Sequence, residues 1–210
     1  MPRTPYTGGP LNKLNGDMGI SAPENSVPVS ALVKEHNPKS AAELEQLIAD
    51  HVGGGCRCGI VSKGTVEDFG WNLYEAQEEY WGEYKYSLDE CIQWEYDLFV
   101  LQMLKGNSME DMCKQALSER LGSAYQFEDT SNYVDEELRV DLEVLHSGAP
   151  VAGIQVKPTS YEGVRRNVQV YNRAANKRYS EKVLYVKYDY DTEEFLNLDT
   201  AEQEILRLSE

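Results

Sequence analysis

The decisive stretch is Leu138-Arg139-Val140-Asp141-Leu142-Glu143-Val144-Leu145-His146, then Ser147-Gly148-Ala149, then Pro150-Val151-Ala152-Gly153-Ile154-Gln155-Val156-Lys157. Leu138, Val140, Leu142 and Val144 alternate with Arg139, Asp141 and Glu143. After the turn, Ala152, Ile154 and Val156 alternate with Gly153, Gln155 and Lys157. A period of two on both sides of a glycine-containing turn predicts a β-hairpin with one apolar face. If the turn is Ser147 to Ala149, His146 faces Pro150, Asp141 lies opposite Gln155, and Arg139 lies opposite Lys157. A slip of one residue would set the polar side chains against the apolar ones, so burial of the Leu138, Val140 and Leu142 face protects this register. The other face then gathers Asp141, Glu143, Gln155 and Lys157. Carboxylate and amide oxygens at such spacing suit a hard divalent cation such as Mg²⁺. A lysine beside it can activate water or steady the charge that builds on a phosphate under attack.

Working outward, Tyr161, Val164, Val168, Tyr171 and Ala175 return to helical spacing, Val183-Leu184-Tyr185-Val186 reads as a buried strand, and a short helix closes the chain from Thr200. Upstream of the hairpin, Gly106-Asn107 is expected to end one helix and Ser108-Met109-Glu110-Asp111 to open another. That second helix carries Met112, Cys113, Ala116 and Leu117 on its apolar side and stops at Gly122. Three earlier helices are expected, capped at Ser40, Thr65 and Ser87; in the last, Leu88, Cys91, Ile92, Tyr96, Phe99, Val100 and Met103 form an apolar stripe. Residues 1–28 are dense in proline and glycine and read as an extended arm. The expectation is an α/β protein with a mixed sheet flanked by helices, a helical N-terminal half and an extended N-terminal arm. Its parts are 1–39 (arm and short helix), 40–105 (helical) and 106–210 (the part that bears the hairpin), within one compact domain.

The 210 residues hold 36 Asp plus Glu against 20 Lys plus Arg, a net charge of −16. That argues against a general nucleic-acid-coating protein, which needs positive potential over its whole surface. It permits a local basic surface, and residues 157–187 supply one: eight basic residues against Glu162 and Glu181, a local charge of +6. Within it Arg165, Arg166, Arg173, Lys177 and Arg178 suit DNA phosphates, and Asn167, Gln169, Asn172 and Asn176 suit base edges. The plainer reading of this segment is a basic helix that offsets an acidic first half. No apolar run is long enough for a membrane span and no signal peptide opens the chain, so a cytoplasmic protein is expected.

Asp141, then Gln155-Val156-Lys157 on the next strand, with Glu110 on the preceding helix, resembles the PD-(D/E)xK nuclease core of many type II restriction endonucleases. The stretches Tyr6-Thr7 through Leu11-Asn12-Lys13-Leu14-Asn15 and Val27-Pro28-Val29-Ser30-Ala31-Leu32-Val33-Lys34-Glu35 are similar to the start of the MjaI-type restriction endonucleases. The resemblance implies a restriction-endonuclease-like αβββαβ core and Mg²⁺-dependent cleavage of double-stranded DNA at a CTAG-containing palindrome. It also implies a homodimer whose two-fold axis mirrors the palindrome. By the same resemblance Asp141, Gln155 and the Val156 backbone hold the metal with help from Glu143. Lys157 activates or orients the water, and Glu110 supplies a further carboxylate, with Glu119 as its competitor. Two departures stand out: Gln155 replaces the usual acidic residue, and Val140 replaces the proline before the first aspartate. A different class of reading is an acidic interaction protein, such as a DNA mimic, for which −16 is the natural charge.

His51, Cys56 and Cys58 invite a zinc reading, but zinc needs a fourth ligand, and no nearby residue pairs obviously with them. The sequence alone therefore leaves a glycine-rich loop with two thiols. The four cysteines are too sparse for a disulfide scaffold. Trp71, Tyr74, Trp81 and Trp94 lie at helical spacing, where core packing is the default over base stacking.

Overall fold

A computed structural model describes residues 5–22, 24–163 and 166–210, and within that span the side chain of Asn167 is not described. The chain divides into two compact units, Met1–Lys105 and Gly106–Glu210. Among the described residues no helix is long and apolar enough to cross a membrane.

The first unit is helical. Polar caps start its helices where expected: Ser40 accepts from the Glu43 N–H before α3 (Ala41–Asp50), while Thr65 with Asp68 and Ser87 with Glu90 form capping boxes before α4 (Val66–Trp81) and α5 (Leu88–Tyr96). The extended arm is overturned. Gly9–Met18 is a helix, α1, with proline in its first turn and Gly19 as a left-handed cap at φ 66°. Proline costs nothing there, because the first-turn N–H has no helical partner to lose. Leu11 and Leu14, three residues apart, are buried with Leu73, Cys91 and Trp94, so the helix is held by packing and not by propensity. The next helix, α2 (Val29–His36), buries Val29, Leu32 and Val33 against Leu44 and Ile48 of α3 and Phe69 of α4.

The expected break at Gly106-Asn107 is also absent. After α5 a single π turn, Asp97–Leu101, leads straight into α6 (Gln102–Leu121). A glycine inside a helix costs about 1 kcal/mol. Full burial of Met109, Cys113 and Leu117, one turn apart on α6, outweighs that cost. Met112, expected on the apolar side, is exposed.

The second unit is built on a four-stranded mixed sheet in the order β1 (Tyr125–Asp129), β2 (Leu142–His146), β3 (Ala149–Pro158), β4 (Val183–Tyr188). The first three strands are antiparallel. The fourth runs parallel to β3 after a crossover through α8 (Arg166–Asn176). Ala152, Ile154 and Val156 of β3 pack with Leu142, Val144, Val186, α6 and α9 (Leu198–Leu208). The hairpin register predicted from the sequence holds over Leu142↔Ile154, Glu143↔Gly153 and Val144↔Ala152. It fails toward the turn, where a bulge after Val144 pairs Leu145 with Pro150 and His146 with Ala149. The turn is therefore two residues, Ser147 and Gly148, with φ of 53° and 80°. Positive φ at both positions matches the right-handed twist of the strands, which a three-residue turn would not need. The other end of the hairpin is shorter than expected. Leu138 ends a helix, α7 (Asn132–Leu138), and Arg139 caps it in the left-handed region at φ 58°, so Arg139 does not face Lys157 in a ladder.

Candidate functional site

Asp141 is placed by its backbone before its side chain does anything. The Asn176 side-chain amide donates to the carbonyls of Leu138 and Arg139, each at 2.9 Å. The Thr130 hydroxyl donates to the Val140 carbonyl at 2.6 Å, and the Asp141 N–H donates to Ile154 at 2.8 Å. The chain is thus clamped on three sides where α7 gives way to β2. The carboxylate turns onto β3, and its Oδ2 accepts the Val156 N–H at 2.7 Å and the Lys157 ammonium at 3.4 Å. Only 6% of Asp141 is exposed, whereas the Lys157 side chain keeps 24%. Lys157 is thus the member of the pair that reaches solvent.

Burial pushes the Asp141 carboxyl well above its ordinary value; the Lys157 charge opposes this and the nearby Asp135 adds to it. Asp135 belongs to α7, a helix the alternation over residues 138–144 did not suggest. Gln155 is 1% exposed and its Oε1 has no hydrogen-bond partner among the described residues. An orphaned buried acceptor costs about 1 to 3 kcal/mol, and native proteins rarely tolerate one without a ligand or ordered water. Across the parallel ladder Gln155 pairs with Tyr185, whose hydroxyl donates to Asn176 Oδ1 at 2.5 Å. Asn176 therefore ties β4 to the backbone that places Asp141. Asp141 and Gln155 offer an all-oxygen donor set, which fits Mg²⁺.

The remaining expected site residues fall into two groups. Glu110, half-buried on α6, acts electrostatically on Cys113 and Tyr188, and Asp141 acts on the same two groups. Both carboxylates therefore lie within electrostatic reach of one end of the core. Burial pushes the Cys113 thiol up to about 12, and these two charges add to the shift. Glu119 is exposed and accepts from Gln115 at 2.8 Å. At 1.5 Å of rise per residue it sits about 13 Å further along the helix than Glu110. Glu143 shares a strand face with Asp141, but its carboxylate accepts from the Tyr179 hydroxyl. A side chain at Gly153 would collide with that tyrosine: a Cβ there would lie 2.9 Å from Tyr179 Cε1 and 2.7 Å from Val140 Cγ1. Val156 can contribute only backbone, since its side chain is in the core and its N–H is taken by Asp141.

On α8, Arg166 and Arg173 lie seven residues apart on an exposed stripe, and Lys177 and Arg178 are exposed just beyond its end. Arg178 also pairs with Glu137 at 3.6 Å. Arg165 lies outside the described residues. Of the amides expected to read bases, the Asn167 side chain lies outside the described residues and the other three are used internally. Gln169 donates to the Tyr161 and Glu162 carbonyls, Asn172 to the Tyr161 hydroxyl, and Asn176 to the clamp above. Their side of the helix faces the protein, a burial that helical phase sets and composition does not reveal.

In the first unit the structure brings His36 to His51, Cys56 and Cys58, with one ligand atom from each lying within 4.8 Å of all the others. His36 was missed because it ends a different helix, fifteen residues before His51. No family model, curated protein or solved structure matches the chain.

Proposed function

We propose that the second unit is a PD-(D/E)xK-type nuclease site, and that the protein is a Mg²⁺-dependent, sequence-specific double-stranded DNA endonuclease of the type II restriction kind. The observation that carries this reading is the buried Asp141, one residue before β2, whose carboxylate accepts the Val156 N–H next to Gln155, a buried orphaned acceptor, with Lys157 3.4 Å from the carboxylate. The order α6, β1, α7, β2, β3, α8, β4 supports it, since it follows the αβββαβ order of that nuclease core with one short helix, α7, inserted between the first two strands.

In this reading Asp141 and Gln155 hold the cation, joined by the Val156 backbone, and Glu110 supplies an outer carboxylate. A cation bound there would supply charge neutralisation at the scissile phosphate. Lys157 orients the attacking water and faces the negative charge that accumulates as the phosphodiester bond breaks. Arg166, Arg173, Lys177 and Arg178 grip phosphates and set the register of the duplex, without reading sequence themselves. The proposed site is a CTAG-containing palindrome met by a homodimer, since a two-fold duplex site matches a two-fold protein.

The test is incubation of the purified full chain with phage DNA at low salt, with Mg²⁺ and with chelator. Discrete metal-dependent fragments, lost in both Asp141→Ala and Lys157→Ala while DNA binding persists, support the reading. Cleavage retained by both variants contradicts the site. Intact DNA with no binding at any protein concentration favours the acidic interaction protein instead.

A further inference from the structure

We infer that His36, His51, Cys56 and Cys58 form a closed, structural Zn²⁺ site in the first unit, because the fold converges four nitrogen and sulfur ligand atoms to within 4.8 Å of one another. The two histidines come from the C-terminal ends of neighbouring helices. His36 is the last residue of α2 and His51 caps α3, and their ring centroids are 5.1 Å apart. Helix C-termini carry partial negative charge, which favours a cation between them. The two cysteines come from the loop after α3, which the chain folds back on itself. Ser62 donates to the His51 carbonyl at 2.9 Å and accepts from Gly53 at 3.2 Å, closing the loop at its base. Gly53, Gly54 and Gly55 all take positive φ, from 72° to 112°. That sharp reversal carries Cys56 and Cys58 back over His51, and only glycine adopts it without strain.

Two further observations point to a ligand that binds all four. His51 Nδ1 lies 2.6 Å from the Leu47 carbonyl, so Nδ1 carries the hydrogen and the Nε2 lone pair faces Cys58 Sγ at 3.3 Å. This is how zinc-binding histidines are held, one ring nitrogen to a carbonyl and the other to the metal. His36 Nε2 is buried with no hydrogen-bond partner among the described residues. An N₂S₂ set of this kind selects Zn²⁺ over Mg²⁺, because borderline thiolate and imidazole donors suit zinc and hard oxygens suit magnesium. All four positions are protein ligands, which leaves no open position for water and assigns the metal to structure and not to catalysis. Two thiolates balance the charge of Zn²⁺; each thiol passes its proton to buffer as its Zn–S bond forms, and nothing is oxidised or reduced.

The test is elemental analysis of the full chain purified without chelator, followed by replacement of the metal with Co²⁺. The expected result is one zinc per chain, and a Co²⁺ form with tetrahedral d–d bands and thiolate charge-transfer absorption. Cys56→Ser should roughly halve the charge-transfer intensity. Cys58→Ser and His36→Ala should lower zinc affinity at least tenfold, while His146→Ala, which removes the chain's other histidine, should leave zinc content unchanged. Since a ligand variant can fail to fold, the Co²⁺ spectrum of the unaltered protein stands as the independent readout. A protein that holds no zinc after purification and takes up none when Zn²⁺ is added overturns the proposal. So does a Co²⁺ form without thiolate absorption, or zinc retained by a Cys56→Ser/Cys58→Ser double variant.

Discussion

Gln155 and Lys157 lie on β3 and Asp141 stands one residue before β2, while His36, His51, Cys56 and Cys58 come from two helix ends and a loop, and the two clusters differ in the cation their donors suit. The strand cluster holds oxygen donors and an ammonium group that already competes for the carboxylate at 3.4 Å. In the proposed reading a hard cation that enters would displace part of that pairing, which would make its binding weak and exchangeable. The loop cluster has no charged competitor among its four members, and each can be a direct ligand. A borderline cation bound there, as inferred above, would be tightly held. What would separate the proposed exchangeable centre from the proposed permanent staple is donor chemistry together with the presence of a built-in rival cation.

The largest expected effect lies on the staple. Removing zinc with a strong chelator, or making Cys58→Ser, should destabilise the first unit by several kcal/mol, a fraction of the roughly 10 to 16 kcal/mol that structural zinc contributes in zinc-finger peptides. The first unit keeps two apolar cores of its own, so partial and not complete unfolding is expected by far-UV circular dichroism. Unchanged melting after chelation would erase the contrast. Next in size, Asp141→Ala should lower the cleavage rate at least about a thousandfold, roughly the 4 kcal/mol expected for loss of a principal electrostatic group. Gln155→Glu should preserve cleavage and tighten Mg²⁺ binding, read as a lower half-saturating Mg²⁺ concentration; weaker binding would argue that Gln155 does not touch the cation.

Acid–base behaviour sharpens the comparison from another side. Glu95 is fully buried in α5, accepts from the Ser21 hydroxyl at 2.7 Å, and is pushed by burial to about 7. Its carboxyl is raised above its unfolded value near 4.5. The neutral form therefore stabilises the fold, fully below pH 4.5, and that contribution disappears as pH rises through about 7. The first unit should lose on the order of 3 kcal/mol between pH 5 and pH 8. Glu95→Gln should flatten this dependence in thermal melts, and an unchanged slope would assign it elsewhere. The smallest effect belongs to the hairpin: Gly153→Ala should cost about 1 to 3 kcal/mol by forcing Tyr179 and Val140 apart. A fully neutral result there would mean that Tyr179 does not lie over β3.

The sequence made the central strands legible because the side-chain period is two and burial of one face penalises any slip, so Leu142↔Ile154 and Val144↔Ala152 could be read directly. It was less informative where tertiary burial overrides local signals. Leu138 and Val140 keep the alternating burial of a strand, yet Leu138 ends a helix and Arg139 is left-handed. Leu11 and Leu14 make a helix out of a proline- and glycine-rich segment because they have a core to enter. β1 (Tyr125–Asp129) went unread because Phe127 alone among its five residues is buried, so no alternation marks it. The same limit governs the sites. Asp141 and Lys157 share one hairpin and announce themselves by spacing, whereas His36 joins His51 only through the packing of two helices.

The most direct test of the whole account reads both clusters in a single sample. The full chain is dialysed into Mg²⁺-free buffer, its zinc content is measured, and DNA cleavage is followed before and after Mg²⁺ is added. One retained zinc per chain with no cleavage until Mg²⁺ arrives is the predicted result. Cleavage by the zinc-bound protein without Mg²⁺, or intact DNA after Mg²⁺ is supplied, would contradict the assignment of the two clusters.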